Sequence, residues 1–189
     1  MNSKRRQSFY LRLGIAGLFL AIACGCNPVI CKRAVGEKPA KIAAREWEGV
    51  WLGPDGAVNI KVVDSDQAVL SIAWLEDDEQ GKPAMKMAAV ELRESGSWLF
   101  ASTSEENKGH SRGYLWARIE KEDRKIIVWE PDGKLFAQLV NNGVIPGRLD
   151  KDDVILDEIE PQYLKMITSG ELGVPFSWDK PIVFVRAGN

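Results

Sequence analysis

The chain has 189 residues, with 25 Lys and Arg against 27 Asp and Glu, one histidine and a formal net charge of −2. Hydrophobic residues make up 45% and charged residues 28%, the proportions of a globular chain and not of a disordered one. Three cysteines in all exclude a disulfide-dense scaffold, and the missing basic excess argues against nucleic acid as a partner.

At the amino end Lys4, Arg5, Arg6 and Arg12 precede Leu13 to Ala23, eleven residues without a charge or polar group. At about 1.5 Å of rise per residue the run covers roughly 16 Å, about half of a ~30 Å hydrocarbon core, so it is read as an export signal and not as a spanning helix. It ends in Leu20-Ala21-Ile22-Ala23-Cys24, which resembles the lipobox of bacterial lipoproteins, with Ala21 where that family usually has leucine. The resemblance implies removal of residues 1–23 and acylation of Cys24, a palmitate-type lipid anchor. It also implies a place in the bacterial cell envelope, facing periplasm or exterior. Cys26, preceded by Ala23-Cys24-Gly25, is the alternative acceptor.

Cys24, Cys26 and Cys31 all lie near the cleavage point, and the remaining 158 residues have no cysteine. Loss of residues 1–23 removes four basic groups and no acidic one, which takes the balance to 21 against 27, or −6. Lys32, Arg33, Lys38, Lys41 and Arg45 follow the acceptor. They are read either as head-group contacts worth on the order of 1 kcal/mol each or as a solvated linker. Residues 24–44 hold Pro28, Gly36 and Pro39 without an apolar period and are read as a flexible tether, with one domain at 45–189.

From Trp47 the apolar residues alternate, the mark of strands with one buried face. Trp47, Gly49 and Trp51 are placed on one face; Val58, Ile60 and Val62 follow, then Leu70, Ile72 and Trp74. Further strands are predicted at 87–93, 98–103, 113–120 and 125–129. Short polar breaks such as Glu94-Ser95-Gly96-Ser97 make them antiparallel neighbours in a meander. Leu135, Phe136, Leu139 and Val140, ending before Gly143, read as a short helix. Strand-like pieces are placed at 144–149 and 154–157, a second helix from Pro161 to Gly170, and a last strand from Pro181 to Arg186. The fold class is therefore mainly β: an antiparallel meander closing into a barrel that hides its edges, with two short helices in the C-terminal third. A β-sandwich is the alternative.

Gly49-Val50-Trp51 on a first strand, the meander after it and Arg186 on the last strand resemble the lipocalin and calycin pattern. The resemblance implies that Trp51 and Arg186 form a closing pair, the guanidinium stacked over the indole, and that the barrel is lipocalin-like. A second lipocalin motif is missing, and the helix near 134–141 interrupts the meander. Seven tryptophans stand at 47, 51, 74, 98, 116, 129 and 178. They are read either as interior filling or, for Trp51, Trp74, Trp98 and Trp116, as the lining of a cup for a small apolar ligand.

His110 is read as a residue of a polar loop, and no serine is placed in a strand-turn-helix elbow. One histidine and no cysteine beyond the tether cannot form a tetrahedral zinc site. The runs Glu76-Asp77-Asp78-Glu79 and Asp150-Lys151-Asp152-Asp153 lack calcium-loop spacing and are read as solvated turns. The expectation is a lipid-anchored envelope protein that is not an enzyme and has no cofactor or metal. Its partners are the membrane through the N-terminal lipid and a small apolar ligand, or else an envelope protein docked by a barrel with a filled interior.

Overall fold

A computed structural model describes residues 28–188 apart from residues 79, 108, 109 and 174. The expected signal segment and both candidate lipid acceptors, Cys24 and Cys26, lie outside the described residues.

The first part of the chain forms β1 (Val29–Cys31), β2 (Lys38–Pro39), the one-turn helix α1 (Ala44–Trp47) and β3 (Gly49–Gly53). The meander continues through β4 (Gly56–Asp64), β5 (Val69–Asp77), β6 (Pro83–Ser95), β7 (Trp98–Asn107), β8 (His110–Glu122) and β9 (Lys125–Trp129). Helix α2 (Gly133–Asn141), β10 (Gly147–Asp150), β11 (Asp153–Leu156) and α3 (Pro161–Ser169) lead to the last strand, β12 (Ile182–Arg186).

Antiparallel neighbours run from β3 through β9, and β12 then pairs with both β9 and β3. The β8–β9 pairing completes a ring of eight strands, so the fold is a closed antiparallel barrel and not a sandwich. The excursion through α2 and α3 does not interrupt closure, because the chain returns and lays β12 where the next meander strand would go. Period two sets the faces. Val58 and Ile60 of β4 and Leu70 and Ile72 of β5 are buried inside, while Asn59 and Lys61 are exposed outside.

Strand β8 is long enough for two partners along one edge: Tyr114 and Leu115 pair with β1, whereas Arg118 to Glu122 pair with β9. Strand β1 in turn runs parallel to β11, which carries β10. Within residues 28–44, the described part of the segment read as a tether at 24–44, the chain is built into the fold. Val29, Ile30 and Cys31 are at most 2% exposed, and Val35 and Ala40 are buried as well. A three-residue apolar run between prolines and lysines is too short to show a period, so its burial was hidden from sequence. The close fit depends on Gly113 of β8, whose φ is +125° and where a Cβ would stand 2.5 Å from the Cys31 carbonyl oxygen. Trp47 likewise ends α1 and does not share a strand with Trp51.

The helices carry the signals expected of them. The Asp132 carboxylate accepts from the Lys134 and Leu135 amides at 2.9 and 3.0 Å at the start of α2. Pro161 opens α3, and Gly170 closes it in the left-handed region. Both helices pack outside the barrel, so there are two large cores, beside the small pair Ile30 and Leu115. Trp51, Leu70, Val90 and Ile119 belong to the interior core. Phe100, Trp116, Phe136, Leu156 and Ile167 form a second core between the β7–β8–β9 wall and the layer covering it.

Candidate functional site

Four features of this fold offer a place to meet something else. The first is the barrel interior. It is lined only by apolar side chains, among them Trp47, Ile72, Val90 and Phe184, and retains a void of about 30 Å³. Ligand pockets of small molecules run to roughly 300–1,000 Å³, so this interior is filled by its own side chains.

The four tryptophans expected to share a cup do not come together. Trp51 is fully buried in the interior core, and Trp74 packs against that core, partly buried. Trp98 and Trp116 stand on the other face of β7 and β8, in the second core. The reason is that both faces of these strands are covered, so alternation fixes which residues share a face but not which face is the inside. Trp51 and Arg186 are register partners, with the Arg186 guanidinium carbon 5.7 Å from the centre of the Trp51 ring. Lys121 Nζ lies 5.3 Å from that centre; burial lowers its pKa, Glu46 and Asp123 oppose the shift, and Arg186 adds to it.

The second feature is an aromatic cluster that the sequence reading missed. The Arg118 guanidinium carbon lies 4.4 Å from the ring centre of Trp98, 4.7 Å from that of Trp129 and 4.5 Å from that of Trp178. Phe176 joins Trp98, Trp116 and Trp178 at centroid distances of 5.7–5.8 Å. Burial pushes the guanidinium pKa down, and Glu120 partly counters this. An aromatic cage of this kind is suited to a ligand cation, but here the chain's own arginine fills it. The signal in sequence was weak, since Trp178 is 60 residues from Arg118 and lies in no strand.

Third, a half-open cleft of about 460 Å³ lies between the 32–37 loop, the outer wall at Glu91, Arg93 and Tyr114, and the start of α3. Its lining cations are already engaged. Lys32 pairs with Asp157 and Arg33 with Glu158, while Arg93 donates to the carbonyl oxygens of Gly36 and Glu37. Lys38, just beyond, pairs with Glu94. Three of the five basic residues read as head-group contacts are thus turned onto the body of the protein. Burial, then the neighbouring Glu91, pushes the Tyr114 phenol up.

The fourth feature is the outer wall formed by β12, β3, β4, β5 and β6. In the ring β4 is four strands from β8 in either direction, so this wall lies opposite the covered one. Apart from the far end of β6, where β2 pairs with Arg93 and Glu94 and α3 approaches, no helix or extra strand covers it among the described residues, yet it is apolar: Met85 is 71%, Met87 68%, Leu75 59% and Leu52 51% exposed. Val50, Val183 and Val185 are exposed beside them. A shallow furrow of about 400 Å³ runs over Ala57, Ser71 and Ala73. Contiguous exposed apolar surface of this kind marks interaction sites in soluble domains.

Among the described residues no group of three His, Cys, Asp or Glu side chains is placed to hold a metal ion, and no helix is long and apolar enough to cross a membrane. The class defined by the structure is a closed eight-stranded antiparallel barrel with one wall covered by its own layer and the opposite wall bare. No protein family, curated protein or solved structure matches the chain.

Proposed function

We propose that this is a lipid-anchored protein of the bacterial cell envelope that acts by docking another protein on its bare outer wall, with no ligand in the barrel. The observation that carries this reading is the pairing of a filled interior with an uncovered apolar exterior. A carrier would need the reverse. The alternative, a small apolar ligand held among Trp51, Trp74, Trp98 and Trp116, is disfavoured by the 30 Å³ void and by the division of those residues between two cores.

The anchor reading adds an orientation. Four chain steps separate Cys24 from Pro28, which at about 3.5 Å each can reach no further than roughly 14 Å. An acylated Cys24 therefore keeps the start of β1 within reach of the bilayer, on the side of the barrel opposite the β4 wall. Docking is then with a protein and not with lipid.

The test is site-directed photo-crosslinking of the full chain in its own envelope, with the reactive group at Met87 or Val183 and a control at Gln162 on α3. The expected result is a discrete adduct from the first two positions and none from the control. Absence of adducts from every position on the wall would remove the docking reading. For the anchor, Cys24→Ser is expected to abolish labelling by a fatty-acid probe and release the protein from membranes; if Cys26→Ser does so instead, the acceptor is Cys26.

A further inference from the structure

The bare wall is ordered along the strands as well as across them. Register places Lys61 beside Ser71 in one row, then Asn59, Ala73 and Met87 in the next. Leu75 and Met85 share the row after that, and Asp77 lies beside Pro83 in the last. All of these positions have the same parity and face outward. Across these four rows the wall therefore carries a cation in the first, an acid in the last, and two rows between them in which Asn59 is the one polar side chain named.

We infer that the partner on this wall is a second copy of the same chain, related by a twofold axis that crosses the strands between the two middle rows. Such an axis reverses strand direction and exchanges the rows, as an isologous contact requires. It brings Lys61 of each copy to the level of Asp77 of the other. It sets Leu75, which lines the furrow, against the small Ala73 of the other copy. It also sets Met85 against Met87, and these unbranched side chains adapt to fill what remains. Sheets packed face to face stand about 10 Å apart, a gap that leucine and methionine span together and that lysine crosses to reach a carboxylate. Because β1 lies on the opposite wall, the contact obstructs neither amino end. This inference rests on the docking reading and names its partner.

Sedimentation equilibrium of the full chain in density-matched detergent is expected to give a dimer. Leu75→Asp, at an exposed position that leaves the circular dichroism unchanged, is expected to weaken it roughly thirtyfold or more. Lys61→Glu is expected to weaken it roughly tenfold, and addition of Asp77→Lys to restore it. A monomer at all concentrations, or a dimer indifferent to Leu75→Asp and to the charge exchange, would overturn the inference. A further arm mixes the Cys24→Ser protein with neutral phosphatidylcholine vesicles. Binding that Leu75→Asp abolishes would assign the wall to the bilayer and overturn the inference as well. In the photo-crosslinking experiment, an adduct of twice the chain mass supports it, whereas an adduct with a different protein overturns it and leaves the docking reading standing.

Discussion

Trp51 and Arg186 face each other where the last strand meets the first strand of the barrel, the guanidinium over the indole. Arg186 also donates to the carbonyl oxygens of Arg45 and Glu48, and the Trp51 Nε1 donates to the Trp47 carbonyl at 2.8 Å. One arginine and one tryptophan thus tie α1, β3 and β12 together at the seam.

Loss of either residue is expected to loosen that seam. Trp51→Ala removes a fully buried ring and is expected to cost about 3–5 kcal/mol. Arg186→Ala leaves two carbonyls without their donor and is expected to cost about 1–2 kcal/mol. Urea unfolding of the single and double variants checks this; the double variant should lose less than the sum, since the two residues touch.

Trp178 is the outermost of the three rings around Arg118, 36% exposed. Replacement by leucine is expected to lower stability by about 1–2 kcal/mol, through one lost cation–π contact and lost ring packing. The near-ultraviolet circular dichroism should change with it, because Trp178 contacts Trp98 and Trp129 edge-on.

Glu130 supplies a pH dependence. Burial pushes its carboxyl pKa up, and its Oε1 has no hydrogen-bond partner. A carboxyl whose folded-state pKa is raised is held without penalty below its unfolded value and costs stability as pH rises through the folded value. Glu130→Gln is therefore expected to match the parent below the ordinary carboxylate pKa of about 4.3 and to be more stable than the parent at neutral pH. Unfolding midpoints of both proteins between acidic and neutral pH check the sign.

Cys31 reports whether β1 belongs to the fold. Its side chain is 1% exposed and burial raises its thiol pKa well above the usual value, so labelling by a thiol reagent should be slow in the native state. Gly113→Ala forces a side chain against the Cys31 carbonyl at positive φ, at a cost of about 1–3 kcal/mol. The Cys31 peptide, followed by mass spectrometry, is expected to label much faster in that variant.

The barrel was legible because its inner positions alternate cleanly: Val58, Ile60, Leu70 and Ile72 repeat at period two, and short polar turns force antiparallel neighbours. The two late helices showed through the spacing of Leu135, Phe136 and Leu139 and through Pro161 and Gly170. What sequence hid was contact over long separations. Val29 to Cys31 gain their burial from β8 and β11, more than 80 and 120 residues away, and nothing local announces it. Strands β7 and β8 are covered on both faces, so Trp98 and Trp116 could be paired with each other by parity but not assigned to the inside or the outside. The bare wall was equally hidden, because an exposed Leu75 and a buried Leu70 look alike until the ring is closed.

Native mass spectrometry of the protein extracted from its own envelope tests the packed barrel and the proposed amino-terminal lipid at once. The expected mass is that of a chain beginning at Cys24 with its acyl groups attached and nothing retained inside. A small molecule carried in fixed proportion, or an amino terminus without acyl chains, would contradict it.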